Sequence, residues 1–291
     1  MYILIVTGGN SSERKISLLS SRKVKEALVK NGYKVKLYDL KNGYNPITKL
    51  SKEFDVIFPV LHGEEGEGGK LHQFLATLKK PVVGSKNYKG FRNAWYKIPF
   101  KKYCDLNKIQ TPKWKIVKSK SDVISFGFPC VLKTSSGGSS REVFILKSKK
   151  DLNLHKNILK KYKDLLVEEY IQGIEVTVGI LNNKALPILE IIPPKNEWFN
   201  YKNKYSGETQ EILNAPSLNS KTNRKIQEIA LKIHRHFDIG SYSRIDFMVR
   251  DDKIYVLELN TIPGLTENSL LPKETGMPFY KFIDILVRSA K

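Results

Sequence analysis

The stretch "KIYVLELNTIPGLTENSLLP", residues 253–272, carries the pattern that decides the fold. Its apolar run ends in Glu258 and Asn260, two residues apart, and passes directly into a Pro-Gly turn. Residues spaced by two point to the same face of a β-strand. A largely apolar strand therefore ends with a carboxylate and an amide side by side, which indicates a charged or functional feature at this end.

The preceding stretch, "SYSRIDFMVRDDK" at 241–253, shows the same spacing of two in Arg244 and Asp246. Together the two runs predict an antiparallel hairpin. A three-residue connection at 251–253 places Asp246 opposite Glu258 and Arg244 opposite Asn260. It also pairs two apolar sets on the other face: Ile245, Phe247 and Val249 with Leu259, Leu257 and Tyr255.

Two carboxylates that face each other across a hairpin repel, so this pair requires a cation. Either Arg244 supplies the positive charge and the cluster is a structural salt bridge, or a metal ion supplies it. Carboxylate and amide oxygens are hard ligands that suit Mg²⁺, which usually binds substrate phosphates as well. The second alternative predicts a nucleotide site whose metal ligands are Asp246, Glu258 and Asn260.

The composition describes a globular chain. With 291 residues, of which 41% are hydrophobic, it can bury a core and divide into two or three lobes. No apolar stretch approaches the length of a membrane-spanning helix, and the start, "MYILIVTGG", lacks the features of a signal peptide. We therefore expect no membrane partner and a cytoplasmic location. Cys104 and Cys130 are too few for a disulfide framework or a zinc site, although their pairing stays open.

The formal charge of +21 suggests a polyanionic partner. However, only nine of the 50 basic residues are arginines, and the lysines are scattered in short doublets such as Lys101-Lys102. Recognition of bases and phosphates by bidentate contacts uses arginine. We therefore interpret most lysines as solvated surface and expect no nucleic-acid partner.

Several polar turns follow predicted strands, where ligands of α/β proteins bind. In "TGGNSSERKIS", 7–17, Glu13 either complements a helix dipole or binds an ammonium group. The segment "KTSSGGSSREV", 133–143, is either a generic glycine-serine hairpin or a loop whose two glycines turn backbone N–H groups toward phosphates, with Lys133 as a fixed cation. The segment "VEEYIQGIEV", 167–176, is either an adenine- and ribose-binding edge or a surface hairpin. The acidic loop "LHGEEGEGG", 61–69, is a plausible wall of the same crevice.

A long polar stretch, 195–217, interrupts the last third of the chain. Loops of this length in compact proteins are usually binding loops, lids or disorder. Its aromatic residues, Trp198, Phe199, Tyr201 and Tyr205, favour a lid.

Taken in order, eight segments resemble the D-alanine–D-alanine ligase family of the ATP-grasp superfamily. They are "GGNSSERKIS", "LHGEEGEGG", Lys97, "VLKTSSGGSS", "EEYIQGIE", "KY" followed by "ET" at 204–209, "SRIDF" and "LELNTIPGLTENSLLP". The resemblance implies an α/β, three-lobed ATP-grasp fold: an N-terminal parallel-sheet domain at 1–88, and two α+β lobes at 89–178 and 179–291 that clasp the nucleotide. It also implies a homodimeric enzyme that uses ATP and two Mg²⁺ ions, with Mn²⁺ as a substitute, to join two D-alanine molecules through an acyl phosphate for peptidoglycan synthesis.

The resemblance also implies a role for each matched residue. ATP would be held by Lys97, Lys133, Ser140, Glu168, Glu169, Ile171, Glu175 and Lys204, and the metal ions by Asp246, Glu258 and Asn260. The first D-alanine would be bound by Glu13, His62, Ser139 and Tyr205. Arg244 and the Gly264 N–H would face the tetrahedral oxyanion, and Ser269 and the Leu270 N–H would bind the second substrate's carboxylate.

The chain departs from the family pattern at two pairs of residues and in the loop after Tyr205, which is one residue short. Trp95-Tyr96 stands where Met-Asp is usual, and Arg141-Glu142 stands where Val-Gly is usual, which adds bulk and charge beside the phosphates. The departures leave two alternatives open: another ATP-grasp carboxylate–amine ligase with different substrates, or a nucleotide- or polyanion-binding homologue without ligase activity.

Overall fold

The computed structural model describes residues 1–138, 142–155, 157–194, 199–200, 203 and 207–291. In these residues the strands form three sheets that follow one another along the chain, one parallel and two antiparallel. The exact limits of the three lobes stay a prediction.

The first sheet is parallel and has the strand order β2-β1-β3. Its strands are β1 (Tyr2–Thr7), β2 (Lys34–Asp39) and β3 (Val56–Pro59), and its helices are α1 (Arg14–Lys30), α2 (Asn45–Leu50) and α3 (Lys70–Leu75). β3 is buried along its whole length, and β1 is buried from its second residue on, because apolar side chains cover both of their faces. The alternation of strand and helix thus gives the parallel sheet that the sequence predicts.

The acidic loop after β3 is fixed in place by glycine and histidine. A side chain at Gly66 would meet the Leu61 carbonyl oxygen at 1.8 Å, so the loop can turn there only with glycine. His72 of α3 pairs its Nδ1 with the Gly66 carbonyl at 3.1 Å and stacks on Phe91. Burial lowers the pKa of His72 to about 3, so its imidazole is neutral and the loop is held without a buried charge.

The second sheet is antiparallel, with the order β4-β7-β5-β6. Its strands are β4 (Trp114–Val117), β5 (Cys130–Thr134), β6 (Val143–Leu146) and β7 (Leu165–Glu169). The helices of this region are α4 (Tyr88–Trp95), α5 (Lys97–Leu106), α6 (Lys120–Phe126), α7 (Lys149–Leu154) and α8 (Ile158–Lys161). The chain breaks between α4 and α5 at Tyr96, which has extended backbone angles, and α5 therefore begins at Lys97.

The third sheet has the order β11-β10-β8-β12-β13, and the short β9 pairs with β8. Its strands are β8 (Ile174–Leu181), β9 (Lys184–Ala185), β10 (Leu189–Ile192), β11 (Gln210–Leu213), β12 (Tyr242–Arg250) and β13 (Lys253–Asn260). The helices are α9 (Ser220–Phe237), α10 (Leu270–Thr275) and α11 (Phe279–Arg288). α11 packs against α1 in one apolar cluster, so the end of the chain closes onto the N-terminal sheet.

The β12–β13 hairpin corrects the predicted connection. Its turn has two central residues, Asp251 and Asp252, both with positive φ, rather than three connecting residues. A β-bulge then shifts the register by one residue, so that Asp246 still faces Glu258 and Arg244 still faces Asn260. The predicted pairs at the site end of the hairpin are therefore confirmed.

The apolar pairs of the same hairpin differ from the prediction beyond the bulge. Phe247 faces Val256 and Val249 faces Ile254, whereas Leu257 and Tyr255 were expected there. Val256 and Ile254 lie in the main core with Ile245 and Leu259, whereas Leu257 is half-buried. Since all four residues from 254 to 257 are apolar, nothing in the sequence marks which two turn inward.

Three smaller expectations can also be compared with the structure. The stretch 195–217, expected to be irregular, contains β11, which pairs with β10. Of the doublet interpreted as solvated surface, Lys102 is exposed but Lys101 is fully buried, so the interpretation is wrong for Lys101. Cys104 and Cys130 are both buried free thiols, which closes the alternative of a disulfide. Among the described residues, no helix is long and apolar enough to cross a membrane.

Candidate functional site

A cavity of about 570 Å³ opens among loops from all three sheets. Nine of the residues singled out from the sequence line it: Glu13, His62, Lys97, Arg244, Glu258, Asn260, Gly264, Ser269 and Leu270. They come from the start of α1, the acidic loop, the start of α5, the site end of the hairpin and the loop before α10. The fold thus brings together side chains that lie up to 257 residues apart in the sequence, from Glu13 to Leu270.

The hairpin end of the cavity is a buried network around Asp246. Arg244 donates from Nε and from an Nη atom to the two carboxylate oxygens of Asp246, both at 2.9 Å. Thr177 Oγ1 donates to the same carboxylate at 2.6 Å, and Asn260 Nδ2 donates to it at 2.8 Å. Burial disfavours the charged guanidinium, but the adjacent Asp246 outweighs burial and raises the pKa of Arg244. The salt-bridge alternative raised by the sequence is therefore present in the structure.

The same residues also fit a divalent cation. Glu258 directs a one-third exposed side chain into the cavity, on the same hairpin face as Asp246 and Asn260. Together they offer carboxylate and amide oxygens, the donor set that Mg²⁺ prefers. Among the described residues no group of three His, Cys, Asp or Glu side chains forms a metal cluster, so the third protein ligand would be the Asn260 amide oxygen. The amide would have to turn, because its nitrogen now points to Asp246.

The two lysines predicted to bind phosphates, Lys97 and Lys133, lie near the glycine turn. Lys97 Nζ donates to the Gly137 carbonyl at 2.9 Å and lies 3.5 Å from Glu258 Oε2, inside the cavity. Lys133 is buried at the end of β5 and contacts Glu168 Oε1. Lys97 is thus placed between the glycine turn and the carboxylate predicted to bind metal.

The residues expected around adenine and ribose lie outside the cavity lining. Glu168 is buried against two lysines, and Ile171 is buried beyond β7. Glu169 accepts a hydrogen bond at 3.2 Å from Arg250, which lies on the same strand as Asp246. Glu175 lies opposite Met248 in the β8–β12 ladder, so it shares a sheet face with Asp246. These residues thus extend from the hairpin face toward the second sheet.

On the N-terminal side, Glu13 and His62 are both buried at the cavity wall. A Cβ at Gly138 would lie 3.1 Å from Glu13 Oε2, which places the glycine turn directly over this carboxylate. Burial lowers the pKa of His62, but the hydrogen bond and charge of Glu67 outweigh burial and raise it. The imidazole also contacts Ser20 Oγ at 3.3 Å.

The loop before α10 forms the opposite wall. A Cβ at Gly264 would meet Ser269 Oγ at 2.7 Å, so the Gly264 backbone lies directly beside this hydroxyl. Ser269 Oγ accepts a hydrogen bond from the Thr266 N–H at 3.1 Å. Phe199 is buried in a small cluster with Leu270, which brings part of the predicted aromatic lid over this end of the cavity. Seven residues of interest fall outside the described ranges: Ser139, Ser140, Arg141, Trp198, Tyr201, Lys204 and Tyr205.

The structure adds residues that the sequence reasoning missed. Thr177 supports Asp246, and Lys101 supports Glu168. Lys101 lies four residues after Lys97, a spacing that puts both lysines on one face of a helix and could have revealed it. Lys273 and Glu211 line the cavity and form an ion pair, but they are remote in sequence and carried no signal.

Comparisons with known proteins agree with this geometry. The family model described as "D-ala D-ala ligase C-terminus" matches residues 95–288, about two thirds of the chain. The chain therefore belongs to the D-alanine–D-alanine ligase family. A D-alanine–D-alanine ligase of Aquifex aeolicus is 38% identical, and the match covers 99% of this chain and all of the relative. One of Thermotoga maritima is 36% identical over 100% of this chain and 97% of the relative.

A crystal structure of the Bacillus anthracis D-alanine–D-alanine ligase complexed with ATP superposes with a TM-score of 0.85 at 29% identity. The superposition covers 99% of this chain and 97% of the bacillary one. These matches confirm the family resemblance and the three-lobed ATP-grasp fold predicted from the sequence.

One described residue of each departing pair lies at the cavity or in a small recess beside it. Trp95 lines it, and the neighbouring Tyr96 donates its hydroxyl to Glu64 Oε1 at 2.7 Å. Glu142 lines a small recess with Lys97, Gly137, Gly138 and Glu258. The carboxylate of Glu142 thus lies close to the glycine turn, at a position where glycine is usual in the family.

Glu274 of α10 is a buried carboxyl group close to the Arg244–Asp246 pair. Neither of its oxygens makes a well-aligned hydrogen bond to a described residue, although the Gly179 N–H favours the ionised form and so acts to lower the pKa of Glu274. Burial raises the pKa of Glu274 well above 4.5, against the opposing attraction of Arg244. The side chain therefore resists ionisation in the folded protein.

We expect Glu274→Gln to be more stable than the wild type at pH 8, by roughly 1 to 3 kcal/mol, and nearly equal to it at pH 4.5. The reason is that the unfolded chain ionises Glu274 above pH 4.5, whereas burial raises the pKa of Glu274 in the folded chain, so the wild type loses stability as the pH rises from 4.5. Urea unfolding at both pH values measures this. Glu267→Gln, at an exposed position, is the control. A difference independent of pH would contradict the expectation.

Proposed function

We propose that this protein joins two D-alanine molecules into D-alanyl-D-alanine, at the expense of ATP and through an acyl phosphate, for peptidoglycan precursor synthesis. The observation that carries the proposal is the single cavity that gathers Glu13, Lys97, Arg244, Glu258 and Ser269. These residues supply an ammonium site, a phosphate site, an oxyanion site, a metal ligand and a carboxylate site in one enclosure.

The nucleotide half of the reaction uses the lysines and the hairpin. Lys97 and Lys133, with Ser140 and Lys204, hold the ATP phosphates, and Glu168, Glu169, Ile171 and Glu175 hold the adenine and ribose. Asp246, Glu258 and Asn260 would hold two Mg²⁺ ions, for which Mn²⁺ could substitute. When bound, these ions offset the negative charge of the phosphates. The carboxylate of the first D-alanine then attacks the γ-phosphorus, ADP leaves, and an acyl phosphate forms.

The first D-alanine is bound on the N-terminal side. Glu13 is a buried carboxylate that pairs with the substrate's ammonium group, and His62 borders the same pocket. The glycine turn lies over Glu13, so the turn that covers the phosphates also covers this substrate. Ser139 and Tyr205 complete this subsite by family resemblance.

The second step is attack of the second D-alanine's amine on the acyl carbon, with loss of phosphate and of a proton from nitrogen. The tetrahedral oxyanion forms beside Arg244 and the Gly264 N–H. Asp246 holds the guanidinium by two of its donors, so Arg244 is oriented before the reaction starts, and preorganised charge of this kind is a large contribution to acyl transfer.

Ser269 and the Leu270 N–H bind the carboxylate of the second D-alanine. Phe199 packs on Leu270, so the lid reaches this subsite and helps to exclude water. Exclusion matters because water would hydrolyse the acyl phosphate.

A second candidate is an ATP-grasp carboxylate–amine ligase with different amino-acid substrates. It is favoured by two departures from the family pattern: Trp95 lines the cavity, and Glu142 lines the small recess beside it. A nucleotide- or polyanion-binding homologue without turnover is the third candidate, and the charge of +21 favours it.

We expect phosphate release from ATP in the presence of Mg²⁺ to depend on D-alanine, and to be at least roughly tenfold faster than with L-alanine, D-serine or D-lactate. The expectation follows from a carboxylate site and an ammonium site built for two copies of one amino acid. A coupled phosphate assay and mass spectrometry of the dipeptide measure it. Faster turnover with another amino acid would support the second candidate, and no turnover with salt-sensitive nucleic-acid binding would support the third.

We expect Glu258→Gln to lower kcat by roughly 100-fold or more, because an amide in place of the carboxylate weakens metal binding and phosphate neutralisation. Its thermal melting temperature should stay within a few degrees of the wild type, since the Glu258 side chain is 32% exposed and its ion pair with Lys97 is as long as 3.5 Å. Glu228→Gln, on the exposed face of α9, is the matched control. Full activity of Glu258→Gln would show that the carboxylate pair has only a structural role.

We also propose a cytoplasmic homodimer, on the basis of the family resemblance. We expect a sedimentation mass of about twice the 33.3 kDa of one chain at micromolar concentration. A mass of one chain under those conditions would refute the dimer.

A further inference from the structure

Lys101 is a fully buried lysine for which the proposed reaction has no use. It lies one helical turn after Lys97 on α5. Its Nζ donates to Glu168 Oε2 at 2.9 Å and also contacts Thr111 Oγ1. Thr111 in turn donates to the Val256 carbonyl on β13 at 2.8 Å. Lys101 thus connects α5, the second sheet and the site hairpin.

Glu168 lies between two ammonium groups. Lys101 contacts its Oε2 and Lys133 contacts its Oε1, and all three side chains are at most about one tenth exposed. The charges of both lysines lower the pKa of Glu168 although burial opposes this, so the carboxylate is ionised. Burial lowers the pKa of Lys101 against the opposing charge of Glu168, and with both lysines protonated the three groups would carry one net positive charge.

The two lysines are not equivalent. The side chain of Lys101 has no exposed surface and has a second polar contact in Thr111. The side chain of Lys133 is 9% exposed, stands immediately before the glycine turn, and forms its ion pair among the described residues with Glu168 alone. Lys133 is therefore the one of the two that can move to a nucleotide phosphate.

Such a movement would be unfavourable if Glu168 had no other partner. A buried carboxylate that loses its only counter-charge is strongly destabilised. Lys101 removes this cost, because it remains on Oε2 when Lys133 leaves Oε1. The surplus positive charge of the cluster is then available to the phosphates.

We propose that Lys101 is a positioning residue that keeps Glu168 paired, so that Lys133 can exchange this carboxylate for a phosphate of the bound nucleotide. The inference rests on the proposed nucleotide-binding roles of Lys133 and Glu168. Lys101 itself touches neither the nucleotide nor the reacting atoms.

The first test compares Lys101→Met with the wild type by calorimetry, using the ATP analogue AMP-PNP with Mg²⁺ and, separately, adenosine. Lys133 should remain on Glu168 in this variant, so AMP-PNP should bind about tenfold more weakly while adenosine affinity changes less than about twofold. Lys102→Met, on the exposed side of the same helix, should bind both as the wild type does. Equal weakening of AMP-PNP and adenosine in Lys101→Met would mean a merely structural role and would overturn the proposal.

The second test is a double-mutant cycle with Glu168→Gln, which removes the carboxylate that holds Lys133. Adding Lys101→Met to Glu168→Gln should change AMP-PNP affinity by less than about twofold, because no buried carboxylate is left to pair. A further loss of about tenfold would overturn the proposal. This comparison also decides the matter if Lys101→Met alone does not fold, since the double variant leaves no unpaired carboxylate.

These readouts separate the inference from the ligase proposal, because they measure binding and not turnover. A wild type that binds AMP-PNP and shows the expected cycle but has no D-alanine-dependent activity would refute the ligase proposal only. A wild type that ligates D-alanine, with Lys101→Met binding AMP-PNP normally, would refute the role of Lys101 only.

Discussion

Arg244 and Asp246 form a buried bidentate ion pair two residues apart on one strand, and the rest of the site is built against it. The pair fixes the guanidinium beside the cavity and leaves Asp246 at the junction of Thr177 and Asn260. A buried ion pair contributes little net stability, because the loss of hydration offsets much of the attraction. Its value here is geometric, since both charges stay in defined positions at the wall of an open cavity.

The pairs at the site end of the hairpin could be predicted from spacing, because one polar face on each of two strands leaves few registers. The length of the turn could not be predicted, because residues 254–257 are all apolar and either alternation of side chains buries two of them. Spacing could not separate the metal alternative from the salt-bridge alternative either. In the structure Asp246 contacts Arg244, as the salt-bridge alternative predicts. The residues around Ser269 were reached only through the family resemblance, because a loop has no periodicity to place its side chains.

Buried lysines are where composition misled most. A charge of +21 with scattered lysines is typical of a solvated surface, yet Lys97, Lys101 and Lys133 are all buried beside carboxylates. Overall composition does not show where the lysines lie, so it misses the spacing of four that puts Lys97 and Lys101 on one face of α5. Two lysines on one helix face are ordinary on a surface, and they become informative only when that face is directed at carboxylates such as Glu168 and Glu258.

The bulge at Leu257 takes up the one residue by which the turn is shorter than the predicted connection. A three-residue tip without a bulge and a two-residue tip with one bring the same four side chains together at the base, because both give the same residue count between Asp246 and Glu258. The two arrangements differ only in which residues of 254–257 face the core. Because this run is apolar throughout, either pair can be buried. A hairpin of this kind can therefore place its extra residue either in the tip or in the bulge without changing which side chains meet at the base.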